Sequence, residues 1–167
     1  MGSLLLKLLA FGAIAATALL VGGLLANRVP LTKPPGLERR LLTYLTANVA
    51  QTAENSSFPE LRPRAYGIPA QRLYALVQEA VRGLGWEVVA TSDERLAVGA
   101  VVTTPLWRFK DDVTVRVTPG EGGKSLLSVR SASRVGKGDL GANTRHILDL
   151  YDAIDARATR ARPELTR

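Results

Sequence analysis

Between residues 111 and 145 the sequence gathers side chains that can hold or transfer charge: Asp111, Asp112, Arg116, Arg130, Ser131, Ser133, Arg134, Asp139, Asn143 and Arg145. Three chemistries are open to them. Opposite residues on an antiparallel strand pair stand about 5 Å apart, so aspartates and arginines on neighbouring strands could neutralise one another and fix the register. Asp139 or Asn143 would then cap a following helix. In the second reading, arginines left unpaired beside Gly136, Gly138, Gly141 and the first turn of that helix would hold an anion, because free N–H groups there favour negative charge. This binding reading assigns the ligand to Arg116, Arg130, Ser131, Ser133, Arg134, Asp139, Asn143 and Arg145. It keeps Asp111 and Asp112 as structural ion pairs.

The third reading is a hydrolase-like enzyme with Asp111, Asp112 or Asp139 as acid and base, or Ser131 or Ser133 as nucleophile. Bases are scarce, since His146 is the one histidine and falls in the first turn of a helix rather than opposite an obvious serine. The glycine spacing matches neither the Walker nor the dinucleotide pattern. With no cysteine in the chain, thiolate metal sites, disulfides and a thiol nucleophile are excluded, and no other metal-ligand spacing is present. No cofactor is expected. The residues favour a non-enzymatic binding or scaffolding domain that recognises an anionic ligand, a lipid headgroup or a protein partner.

These side chains need a sheet to carry them. From Trp107 to Thr118 the residues alternate, with Trp107, Phe109, Asp111, Val113, Val115 and Val117 on one face and Arg108, Lys110, Asp112, Thr114, Arg116 and Thr118 on the other. Asp111 puts a carboxylate on the apolar side, where an unpaired charge is costly. Residues 86–92 and 95–104 read as two strands joined at Asp93-Glu94, and 124–135 as a fourth strand after a glycine-rich turn. A helix beginning at Pro69 presents Leu73, Leu76, Val77, Ala80, Val81 and Leu84. A last helix from about Asn143 presents Ile147, Leu148, Leu150, Tyr151, Ile154 and Ala158. The expected fold is α+β: a four-stranded antiparallel sheet packed by two helices.

Ahead of this domain, residues 8–26 carry no charge and, as a helix, just span the roughly 30 Å hydrocarbon core of a bilayer. A cleavable signal segment is the competing reading, but Leu24 stands where a small residue should precede cleavage after Ala26. The expected division is an anchor or signal segment at 1–27, a linker at 28–65, the α+β domain at 66–162 and a basic tail at 163–167. In the linker, Leu37, Leu41, Leu42, Leu45 and Val49 recur at helical spacing, with Glu38, Arg39 and Arg40 opposite. The apolar stripe is expected to pack on the domain, with a position on the bilayer surface as the alternative. Residues 52–65 read as a loop.

Basic residues after the apolar run favour a cytoplasmic domain, whereas a short N-terminus before an export-like run favours an external or periplasmic one, which is the reading adopted. The net charge of +7 makes membrane lipid the nearest anionic partner. Nucleic acid is not expected, because exposed aromatics are few and Trp86, Trp107 and Phe109 read as core. Oligomeric state is left open.

The stretches 107–117 (WRFKDDVTVRV) and 128–147 (SVRSASRVGKGDLGANTRHI) together resemble the signature of the domain of unknown function 1499 family. Phe109, Asp111, Asp112, Arg116, Arg130, Ser131, Ser133, Arg134, Gly136, Asp139, Gly141, Asn143 and Arg145 carry the resemblance, which covers roughly residues 66–155. It implies an N-terminal export or anchoring segment and brings no activity.

Overall fold

The computed structural model describes residues 2–105 and 108–160. Trp107 of the expected third strand, and Arg162 with the basic tail 163–167, lie outside the described residues. The described residues form four α-helices and a six-stranded antiparallel sheet. Helix α1 (Gly2–Ala26) is apolar on all sides beyond Lys7 and, at 1.5 Å per residue, extends about 37 Å, long enough to cross a membrane.

Four strands form the expected meander: β3 (Glu87–Ser92), β4 (Ala97–Thr103), β5 (Lys110–Pro119) and β6 (Ser125–Ser133). Two further strands correct the expectation of a four-stranded sheet. Strands β1 (Val49–Gln51) and β2 (Arg64–Tyr66) lie side by side along the outer edge of β6, β1 on residues 130–132 and β2 on residues 125–127. An uncovered edge would leave a row of unpaired N–H and C=O groups, and each short segment satisfies a third of it. Val49 therefore belongs to a strand and not to the linker helix. Residues 52–65, expected as a loop, contain a 3-10 turn at Pro59–Leu61 and run into β2.

Helices α3 (Ala70–Gly83) and α4 (Ala142–Arg160) cover one face of the sheet. Their stripes, including Leu73, Val77, Val81, Ile147, Leu150 and Ile154, close over Val98, Ala100, Val113, Val115, Leu127 and Val129. Full burial of each Val, Leu or Ile side chain among them contributes about 1.5–3 kcal/mol. The opposite face, carrying Thr114, Arg116 and Arg130, is exposed to solvent. Trp86 packs partly buried against the core. Phe109, expected in the core, is 49% exposed, because β5 begins one residue later and Phe109 closes a turn back to Thr104.

Helix α2 (Leu37–Thr46) is turned opposite to expectation. It buries Arg40 and Tyr44 and exposes Leu37, Leu42 and Leu45. The Arg40 guanidinium finds a full set of acceptors: Glu60, the carbonyls of Lys33 and Pro34, and the Tyr44 hydroxyl, with the Phe58 ring below it. A planar cation with five donors can be buried when every donor is met. Tyr44 also joins Leu24 and Val29 in a second apolar cluster, which seats the end of α1 on the domain.

Candidate functional site

Nine of the ten candidate positions fall into three places rather than one, and Arg145 stands apart on α4. The first is an interior polar knot where β6, α4 and the residue before β1 meet. Ser131 and Asn143 are fully buried. The Ser131 hydroxyl donates to Asn143 Oδ1 at 2.6 Å, and Asn143 Nδ2 shares its two hydrogens among the Asn48 carbonyl (2.8 Å), the Ser133 hydroxyl (2.9 Å) and Asp139 Oδ2 (2.7 Å). Asp139 accepts from the backbone N–H groups of Gly141 and Asn143, and so caps the start of α4. Burial pushes its carboxyl above the usual range, opposed by those N–H donors, with the Asp111 charge adding to the rise. This knot satisfies itself internally, as buried polar groups must.

The glycine loop that follows β6 is filled by the protein. Gly138 lies against the carbonyl oxygens of Tyr44 and Leu45, where any Cβ would overlap the Leu45 backbone. Gly141, at φ +84°, packs on Val29, which a Cβ would meet at 2.6 Å. Leu140 donates its N–H to the Tyr44 carbonyl and accepts from Asn27 Nδ2 at 2.9 Å through its own carbonyl. These small residues admit the end of α2 and the segment leaving α1.

The second place is the contact of Asp111 with His146, Oδ2 to Nε2 at 2.9 Å, beneath the sheet. The Asp111 side chain is 1% exposed and His146 11%. Asp111 Oδ1 is buried and meets no donor among the described residues. The Trp86 ring stands edge-on to His146 at 5.9 Å. A carboxylate held on one imidazole nitrogen orients the ring, as in acid–base triads. Among the described residues no hydroxyl is hydrogen-bonded to the other nitrogen, so the contact ties β5 to α4. The sequence offered a signal for it, because an inward carboxylate demands an inward donor, and His146 adjoins the inward Ile147. Nothing in the sequence marked Asn48.

The third place is the solvent-facing side of β5 and β6. Arg134 grips Asp112 with Nε and Nη2 at 2.7–3.1 Å. That arginine holds the Asp112 carboxyl below its usual range, against slight burial and with help from Arg130. Arg145 is drawn instead to Asp149 and Asp152 along α4. Arg116 and Arg130 remain. Arg116 is paired in register with Ser128 and Arg130 with Thr114, so the two arginines are diagonal neighbours on one face, about 7–8 Å apart at the backbone. Among the described residues neither has a carboxylate within ion-pair distance. With Gln51, Thr52, Thr114, Ser128 and Val129 they line a shallow concavity of about 270 Å³. No group of three His, Asp or Glu side chains gathers for a metal ion among the described residues.

No curated protein matches the chain. Among solved structures it is similar to TTHA0849 from Thermus thermophilus, at 15% identity and a TM-score of 0.36, covering 60% of this chain and 96% of that one. It is also similar to CalU16 from Micromonospora echinospora, at 13% identity and a TM-score of 0.32, covering 70% and 92% respectively. Neither likeness is strong enough to bear on function. The family model described as "Protein of unknown function (DUF1499)" matches residues 42–154, from within α2 through every strand of the sheet into α4. The chain belongs to the DUF1499 family.

Proposed function

We propose that this chain is a membrane-tethered, non-enzymatic binding domain whose open sheet face receives an acidic group of a partner between Arg116 and Arg130. One observation carries the reading: two exposed arginines stand as diagonal neighbours with no carboxylate partner among the described residues, while Arg134, Arg145, Arg40 and Arg64 each have one. Like charges so placed repel, and a carboxylate or phosphate between them relieves the repulsion and accepts from both forks. The hydroxyls of Thr114 and Ser128 lie beside them to complete the coordination. Helix α1 supports the tether, being long and apolar enough to cross a bilayer, with the domain on the external side. Backbone NMR of the full chain in non-ionic micelles tests the site. A glutamate-rich peptide should move the Thr114, Ser128 and Arg130 amides, and a lysine-rich peptide should not; shifts confined to other residues would overturn the assignment.

The hydrolase alternative keeps one specific contact, Asp111 with His146. Its other carboxylates are engaged, Asp112 by Arg134 and Asp139 by the N-terminus of α4. A hydrolytic activity lost in both Asp111→Asn and His146→Gln variants that remain folded would support it.

A further inference from the structure

Outside α1, the large apolar side chains exposed among the described residues are Leu37, Leu42, Leu45, Val49, Phe109 and Val135, with Val89 apart from them. The strand register shows where these six belong. Val49 pairs with Ala132 and Asp111 with Ser133, so Val49, Phe109 and Val135 all sit at one end of the sheet. Helix α2 runs directly into β1 at that end. The β3–β4 turn lies at the other end, where Ala97 pairs with Arg116.

The apolar end is also where the anchor meets the domain. Asn27 is bonded to Leu140, Val29 packs on Gly141, and Leu24 clusters with Tyr44. Exposed cations surround the same end: Arg39 on α2, Arg108 and Lys110 before and at the start of β5, and Lys137 after β6. Three leucines turned outward from a helix that buries an arginine, grouped with further exposed apolar side chains at one end of the sheet, mark an interaction surface. Apolar side chains rimmed by Lys and Arg are what the boundary between acyl chains and headgroups accepts.

We infer that this end of the domain rests in the bilayer interface, with Leu37, Leu42 and Leu45 of α2 inserted among the acyl chains and the surrounding cations at phosphate level. The inference rests on the reading of α1 as a membrane tether. It makes α2 a second contact with the bilayer beside α1, and the two together fix how the open sheet face is held relative to the membrane.

The chain has no cysteine, so single environment-sensitive labels can be placed without further changes. Leu42→Cys, Ile14→Cys and Glu94→Cys variants of the full chain, each at an exposed position, would be labelled with a nitrobenzoxadiazole dye. They would then be reconstituted in vesicles of phosphatidylcholine and phosphatidylglycerol. The Leu42 label should emit to the blue and be quenched several-fold more by lipids carrying a spin label near the headgroup than by lipids carrying it at the chain end. The Glu94 label, on the far turn, should report water, and the Ile14 label should be quenched by the deep probe. A Leu42 label in water with Ile14 deep would overturn the interfacial placement while sparing the tether. An Ile14 label in water would remove the tether and the inference with it. A Leu42 label shielded only at high protein-to-lipid ratio would overturn the inference in favour of contact with a second copy.

Discussion

The fully buried Arg40 guanidinium holds the Glu60 carboxylate at 2.6 and 3.1 Å, joining α2 to the turn before β2. Burial works against the charge on Arg40, and the Glu60 carboxylate together with the Tyr44 hydroxyl more than offsets it. Arg40→Met would leave Glu60 buried without its cation and the Pro34 carbonyl without its donor. The expected loss is about 3–5 kcal/mol of unfolding free energy, the usual result of removing one partner of a buried pair. Denaturant unfolding of the full chain in micelles, followed by tryptophan fluorescence, measures it.

Asp111→Ala should destabilise the fold by about 2–3 kcal/mol, because it removes the acceptor of an almost buried histidine and opens a gap between β5 and α4. A thermal melt matching wild type would show that the Asp111–His146 contact holds nothing together.

Gly138→Ala should cost about 2 kcal/mol or more, since the new methyl would overlap the backbone carbonyl of Leu45, which cannot swing aside as a side chain can. Gly120→Ala, at a turn whose nearest contact would be an ordinary 3.5 Å, should cost less. Equal melts for the two variants would mean that the loop after β6 is not held against the end of α2.

Asp139 gives the pH dependence a sign. Its folded-state pKa is raised, chiefly by burial, above an unfolded value near 4. Such a group contributes stability that is fully present below the unfolded pKa and is lost as pH rises through the folded one. The stability of wild type relative to Asp139→Asn should therefore be greatest at the acid end and shrink as pH rises through the folded value. Denaturant unfolding of both proteins across the acid range checks this, and a difference that grows with pH would contradict the assignment.

Much of the sheet was legible because β5 is long and alternates along most of its length, and because α3 and α4 carry apolar stripes at helical spacing. Strands β1 and β2 were not, since three residues are too short for a period and are placed by the free edge of β6. Helix α2 buries Arg40 and Tyr44 rather than the leucines its spacing marks. Helical spacing marks a stripe of leucines but cannot show that Arg40 finds acceptors for its whole guanidinium inside. At the candidate site the residue types were visible and their partners were not. Arg116, Arg130 and Arg134 look alike in sequence, and the structure separates the one gripped by Asp112 from the two left without a carboxylate.

The binding face is tested most directly by calorimetric titration of the full chain in micelles with a glutamate-rich peptide, using wild type, Arg116→Ala, Arg130→Ala and the double variant. If both arginines hold one anionic group, each single change should weaken binding by about tenfold or more, the ~1.4 kcal/mol or greater expected of a charge-assisted contact. The double change should add little beyond either single one. Undiminished binding by the double variant would contradict the account.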